Sequence, residues 1–114
     1  MATTPLQPIV SGFQLTTSYQ DIYTVATGKS GVGIDAAVFN NYSVNKVDYS
    51  VRLLQFGTAS VLNEVITEKG IRSKSNDLAS AIIGQALVSG GTIQAKASAN
   101  DAVSVNITAT IIDV

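Results

Sequence analysis

The sequence predicts an all-β chain folded as a single antiparallel β-sandwich, jelly-roll or Ig-like, of about seven to nine short strands. Three observations predict it. Apolar residues recur at every second position in run after run, the period of a strand with one buried face. The runs are short and are separated by clusters of Gly, Asn, Asp and Ser, at a spacing of about 8–12 residues. Charged residues make up only 13% of the 114, about half the usual share, so the surface must be built largely from Ser, Thr, Asn, Gln and Gly.

Taken in order, residues 1–8 (MATTPLQP) read as an extended N-terminal arm, with the sandwich domain over 9–114. Pro5 and Pro8 fix their own φ and push the residues before them away from helix. Such an arm is either loosely ordered or laid on a neighbouring subunit. Short strands follow at 9–15 and 22–25. The next run places Val32, Ile34, Ala36 and Val38 on one face, and Val47, Tyr49, Val51 and Leu53 repeat the pattern. Further short strands fall at 60–66 and 71–73. Ile93, Ala95 and Ala97 alternate with Gln94, Lys96 and Ser98. The clearest strand is the last, where Val103, Val105, Ile107, Ala109 and Ile111 alternate with Ser104, Asn106, Thr108 and Thr110.

Turns are expected where residues tolerate positive φ: 26–29, 40–43, 57–58, 69–70, 89–91 and 100–101. Residues 77–88 are ambiguous. Ser75-Asn76-Asp77 would cap a helix, but Ile82-Ile83 is β-branched and Gly84 interrupts the middle. The segment reads as a strand, or as a short helical turn leading into one.

Composition excludes several functions. A formal net charge of −1 offers no basic excess for phosphate neutralisation, so no nucleic-acid partner is expected. The chain has no Cys, His or Trp. That removes disulfides, thiol catalysis, Ser-His-Asp triads and nearly all zinc or haem sites, so no cofactor, metal or catalytic residue is assigned. No apolar run approaches the roughly 20 residues needed to cross a bilayer, and the first ten residues lack the basic and apolar regions of a signal peptide. No membrane partner and no secretion by a signal peptide are expected.

The motifs that imitate chemistry read better as structure. Gly28-Lys29-Ser30 resembles the end of a phosphate loop, but Tyr23 stands where the motif needs its first Gly. Gly31-Val32-Gly33 imitates a dinucleotide fingerprint but lies inside an alternating strand, where glycines permit a bulge or close backbone approach. Asp21, Asp35, Asp48, Glu64, Glu68, Asp77, Asp101 and Asp113 are scattered, without the spacing of a calcium loop. They read as solvated surface rather than a glycosidase pair. Asn41-Tyr42-Ser43 and Asn106-Ile107-Thr108 fit the glycosylation triplet, which has no use without a secretory route.

Five residues remain as candidate partner contacts: Leu6 on the arm, Tyr42 at a loop tip, and Lys69, Arg72 and Lys74 in the densest charge cluster. If 69–70 is a turn, the cluster crowds one rim. It then either protects an edge strand or meets an acidic partner. Tyr19, Tyr23, Tyr42 and Tyr49 offer a sugar-stacking platform or, more plainly, core-edge and interface residues.

One longer pattern is more specific. Asp21-Ile22-Tyr23-Thr24-Val25-Ala26-Thr27-Gly28-Lys29 is followed by the strand from Gly33 to Asn41. Then come Leu87-Val88-Ser89-Gly90-Gly91-Thr92-Ile93-Gln94-Ala95-Lys96-Ala97-Ser98 and the final strand, Val103 to Ile112. Over roughly residues 17–112 this resembles small β-sandwich structural proteins of tailed bacteriophages, found as capsid decoration proteins and head- or tail-associated modules. Their first block reads close to LYTVPAGK, with Ala26 here in place of Pro. Their second has acidic residues where Ser89 and Gly91 stand here. The resemblance implies a virion structural protein made in the host cytoplasm. It implies a decoration protein binding the major capsid protein, or a tail, neck or fibre component with a receptor- or carbohydrate-binding role. It also implies a homo-oligomer, with a trimer favoured because trimers match the local three-fold positions of capsids.

Overall fold

Strict alternation of apolar and small polar residues builds ladders rather than helices, because only a pleated strand sends successive side chains to opposite faces. The computed structural model describes residues 3–26, 28–55 and 63–113, the side chain of Asp113 excepted. The described elements are β1 (Thr3–Gln14), β2 (Gln20–Thr24), β3 (Lys29–Asn41), β4 (Val47–Leu54), β5 (Glu64–Ile71), β6 (Ser75–Leu78), β7 (Ala86–Val88), β8 (Thr92–Ala97) and β9 (Val103–Asp113). One sheet runs β1-β9-β3-β6, with β7 also paired to β3; the other runs β2-β8-β4-β5. All pairs are antiparallel.

The pairing is nested. β1 pairs with β9, β2 with β8, β3 with β6 and β7, and β4 with β5. A long hairpin with β4 and β5 at its closed end, wound so that successive rungs fall in alternate sheets, gives this order. That winding is the jelly roll, and it settles the expected choice between jelly-roll and Ig-like. The core lies between the sheets. Phe39 of β3 stacks on Tyr49 of β4 across the interior, with ring centroids 4.3 Å apart and planes at 21°. Val103, Val105, Ile107 and Ala109 of β9 are fully buried, and Ile111 packs partly buried against them. The alternating faces expected in β4 and β8 are likewise the buried ones.

Three details depart from the sequence reading. In β3 the expected inward set was Val32, Ile34, Ala36 and Val38. Val32 and Ile34 are buried, but the inward residues then become Ala37 and Phe39. A register shift between Ile34 and Ala36 inserts Asp35 as an extra residue, and a one-residue insertion exchanges the two faces of everything after it. Second, Lys69-Gly70 is not a turn. Gly70 lies inside β5 opposite Asp48. A Cβ on it would meet Lys46 Cε at 2.5 Å, but that is the far end of an exposed, flexible side chain that can swing aside.

Third, the expected strand at 71–73 is instead the end of β5 and the start of the reversal, where the Ser75 N–H donates to the Arg72 carbonyl at 3.2 Å. Lys74 adopts φ 57° there. Residues 77–88 follow the expected reading of a short turn leading into a strand: they hold the end of β6, a run of turns and β7. The turn expected at 57–58 and the start of the strand expected at 60–66 lie outside the described residues. From Thr3, the segment expected as an arm forms the first part of β1, paired along β9 of its own chain from Thr3–Ile112 to Pro8–Thr108.

Candidate functional site

The rim between β5 and β6 is built by the reversal at Arg72–Lys74. Because β5 ends one sheet and β6 ends the other, side chains here can bridge the sandwich. Lys69 does so: its Nζ lies 3.0 Å from Asp77 Oδ2. Asp77 also accepts the Tyr49 hydroxyl. Lys74 Nζ donates to the Tyr42 carbonyl at 2.9 Å, and Gln14 Nε2 donates to the Tyr42 hydroxyl. Tyr42, Lys69, Arg72 and Lys74 therefore share one end of the sandwich. Leu6 does not join them. It is 69% exposed on β1, about eight residues from Gln14, which is roughly 25 Å along a strand.

Beneath this rim lies a residue that sequence reasoning placed in a turn. Asn41 ends β3 and is fully buried. Its Nδ2 donates to the carbonyls of Asn45 (2.8 Å), Ile71 (2.9 Å) and Arg72 (3.3 Å). Its Oδ1 accepts from Ser43 N (3.0 Å) and Ser43 Oγ (2.7 Å). One amide thus ties the β3–β4 loop to the β5–β6 reversal and holds Tyr42 and Lys74 at the same end. The Asn-Asn pair was the available signal, but two asparagines before a loop read as turn formers.

The outer face of the β2-β8-β4-β5 sheet is charged. Pairing aligns Asp21, Gln94, Arg52 and Glu64 in one row. The Arg52 guanidinium sits 3.8 Å from the Tyr19 ring centroid and Lys96 Nζ lies 4.8 Å from it. Tyr19 donates its hydroxyl to Glu64. Arg52 Nε donates to Gln94 Oε1 at 2.6 Å, and Gln94 Nε2 to Asp21 Oδ1 at 2.6 Å. A half-open cleft of about 230 Å³ adjoins this network, lined by Thr17, Asp48, Ser50, Glu68, Lys96, Ala97 and Ser98. The tyrosines do not form one platform. Tyr49 is core, Tyr19 is flanked by cations, and Tyr42 is at the rim.

Burial and the hydrogen bond to Glu64 push the Tyr19 phenol from 10.0 up to about 12. Burial and Asp77 push Tyr49 up as well. Both phenols ionise more readily in the unfolded chain. Both contributions to stability are therefore complete below pH 10.0; that of Tyr19 is lost as pH rises through about 12, and that of Tyr49 goes on falling above that window. Denaturant titrations at alkaline pH are expected to show falling stability over that window. The Tyr19→Phe/Tyr49→Phe variant should flatten the slope, and an unchanged slope would show that other groups govern it.

The outer face of the other sheet contrasts with this one. Register places Gln14, Ser104, Asn40 and Asn76 in one row, then Asn106, Val38 and Leu78, then Pro8, Thr108 and Ala36. Thr110, Gly33 and Ala86 form the next. None of these residues is charged. The bulged Asp35, exposed on β3 between the Gly33 and Ala36 rows, accepts the Thr110 hydroxyl at 2.7 Å and puts one carboxylate on this face.

No protein-family model matches the chain, and no curated protein does. Solved structures match its fold. Over 98% of the chain, it superimposes with a TM-score of 0.60 and 9% identity on a chain of the T13 particle of infectious bursal disease virus. A mutant VP2 of that virus in T=1 particles gives 0.62 and 12%. The VP2 subviral particle gives 0.58 and 12%. The chain spans about a third of the length of these proteins, 31–33%. At such identities the likeness is one of fold, and the fold is a jelly roll that viral capsid proteins also use.

Proposed function

We propose that the chain is a non-enzymatic structural protein of a virus particle that acts by packing against other protein subunits. The observation that supports this most is the nested two-sheet winding, shared over 98% of the chain with capsid proteins. The resemblance to tailed-phage proteins narrows the proposal to a decoration protein that binds the major capsid protein and stabilises the head, as a trimer at local three-fold positions. A tail, neck or fibre role with carbohydrate binding is the second reading. It is favoured by the half-open cleft with hydroxyl groups and two carboxylates on the charged face. Electron microscopy of particles carrying labelled protein separates the two. Label at symmetric positions on the head supports decoration, label confined to the tail supports the second reading, and no label on particles overturns both.

Within this proposal the rim is the capsid contact. Arg72 and Lys74 are exposed, whereas Lys69 is already committed to Asp77. Arg72→Glu/Lys74→Glu is expected to weaken particle binding at least about tenfold, or 1.4 kcal/mol, while stability changes by less than about 1 kcal/mol. Co-sedimentation with particles and a urea melt measure the two. Unchanged binding would remove the rim from the contact.

A further inference from the structure

The half-open cleft on the β2-β8-β4-β5 sheet holds charge that the sandwich itself does not use. Asp48 of β4, Glu68 of β5 and Lys96 of β8 line it, together with the hydroxyls of Thr17 and Ser98. Ser50, 2% exposed, is its floor. Asp21, Asp35, Glu64 and Asp77 each accept a hydrogen bond from a neighbouring side chain. The carboxylates of Asp48 and Glu68 have no hydrogen bond or ion pair with any described residue. Glu68 is also held where a glutamate is unusual. A bulge sets Thr67 and Glu68 of β5 against Ser50 alone, and Glu68 takes φ 45°, a conformation that suits glycine. Its N–H donates to Ser50 Oγ at 2.9 Å, which fixes the bulge. Glycine would suit the backbone there better. What glutamate adds is a carboxylate on the cleft wall.

We infer that this cleft holds one neutral sugar ring, bound through its hydroxyls. The inference deepens the carbohydrate-binding reading above and rests on it. Charge, hydrogen-bonding capacity and size together select such a ligand. The cleft carries both signs, so an anion meets Asp48 and Glu68 and a cation meets Lys96, whereas a neutral ligand meets neither repulsion. Its groups differ in kind. The carboxylates only accept, the Lys96 ammonium only donates, and the hydroxyls do either. Ser98 Oγ accepts the Asp48 N–H at 2.9 Å, which leaves its own proton to donate. A polyol donates and accepts at every hydroxyl, so it answers all of them. An apolar ligand would find little but the Ala97 methyl. The volume of about 230 Å³ lies below the roughly 300–1,000 Å³ of pockets for drug-sized ligands, so one ring fits and a longer glycan continues into solvent through the open side. Arg52 and Lys96 already hold the Tyr19 ring beside the cleft, at 3.8 and 4.8 Å from its centroid. Recognition therefore rests on hydroxyls rather than on ring stacking, and affinity is expected in the millimolar range.

Amide chemical-shift titration of the full chain with methyl glucoside and methyl galactoside, both neutral, tests this. At least one is expected to shift the amides of Ser50, Glu68 and Lys96 saturably at millimolar concentration. N-acetylneuraminic acid, a sugar that carries a carboxylate, and N-acetyl-lysine amide, a cation, should each bind at least tenfold more weakly. Glu68→Gly should lose the neutral sugar at least tenfold and yet melt no lower than the wild type, because glycine accepts the positive φ. A residue that only shaped the strand would not separate binding from stability in this way. Asp48→Asn should also weaken binding, and Asp35→Asn on the other sheet should leave it unchanged. The inference is overturned by the absence of saturable shifts with both neutral probes, by tighter binding of either charged probe, or by binding indifferent to both Glu68→Gly and Asp48→Asn. Particle localisation is read separately. A tail-located protein that binds neither sugar would defeat this inference alone, and a sugar-binding protein found only on heads would defeat the tail reading alone.

Discussion

Ile107→Asp is expected to unfold the domain. Ile107 lies at the middle of β9, opposite Val10 of β1 and Ala37 of β3, and is 1% exposed. The neighbours that pair with it are apolar, so a carboxylate there loses its hydration with no cation to replace it. An unpaired buried charge costs several kcal/mol even after the group neutralises itself by taking a proton. Whole domains are stable by only about 5–15 kcal/mol, so a loss of about 5 kcal/mol removes most of the margin. Circular dichroism and limited proteolysis at 25 °C should find the variant largely unfolded. Two controls make the result specific to the face. Ile107→Val keeps the apolar contact and should cost about 1 kcal/mol. Asn106→Asp, one residue away on the solvent side, keeps the oxygen that accepts the Gly12 N–H and should cost less than about 0.5 kcal/mol. If Ile107→Asp melted like the wild type, the inward face of β9 would be misassigned.

Asn41→Leu is expected to cost about 3–4 kcal/mol, the largest loss for a substitution of similar volume outside the apolar core. Leucine fills the space but offers no donor to the Ile71 and Asn45 carbonyls and no acceptor to Ser43. A buried polar group left without its partner costs about 1–3 kcal/mol, and several are stranded at once. Asn41→Asp keeps the acceptor oxygen but removes the Nδ2 donor and buries a charge, so it should be at least as harmful. Urea melts measure both. The local consequence is also testable: with the tie cut, amide exchange should accelerate at residues 42–45 and 72–75 before the rest of the sandwich. A loss under about 1 kcal/mol would mean that water replaces the amide at this site.

Such a site shows where sequence reading stops. Asn41 and its partners are 30 residues apart along the chain at Ile71, and only the closed sandwich brings them together. Alternation is a local property, and it was legible wherever a strand keeps a regular register. It identified the inward faces of β4, β8 and β9, the all-β class and the turn at Ser89–Gly91, where Gly90 adopts φ 80°. It also excluded the chemistry of thiols and imidazoles, since the residues are absent. It misplaced the inward set in the second half of β3 because a bulge depends on the partner strand, not on the strand's own residues. Asp35 carries no mark that it will be the one left out of the ladder.

Gly70 and the charge cluster teach the same point. A lysine followed by glycine has the composition of a turn, but the ladder with β4 holds Gly70 inside β5 opposite Asp48, which no local pattern records. The candidate contacts Tyr42, Lys69, Arg72 and Lys74 were legible as residue types. Their shared end, and the distance of Leu6 from it, follow from the pairing of β1 with β9 and of β3 with β6. The separation of a face rich in charge from one that is mostly neutral was not legible either. Composition states how many charges the chain has. Strand order decides which strands lie side by side, and so gathers Asp21, Arg52, Glu64 and Lys96 on one sheet while leaving amides, hydroxyls, methyl groups and the bulged Asp35 on the other. The sequence by itself determined a chain of strands with a buried side and a residue set without thiols or imidazoles. The nested pairing decided which surfaces those strands present, because a face is made from residues that are distant in the chain and adjacent only across hydrogen-bonded ladders.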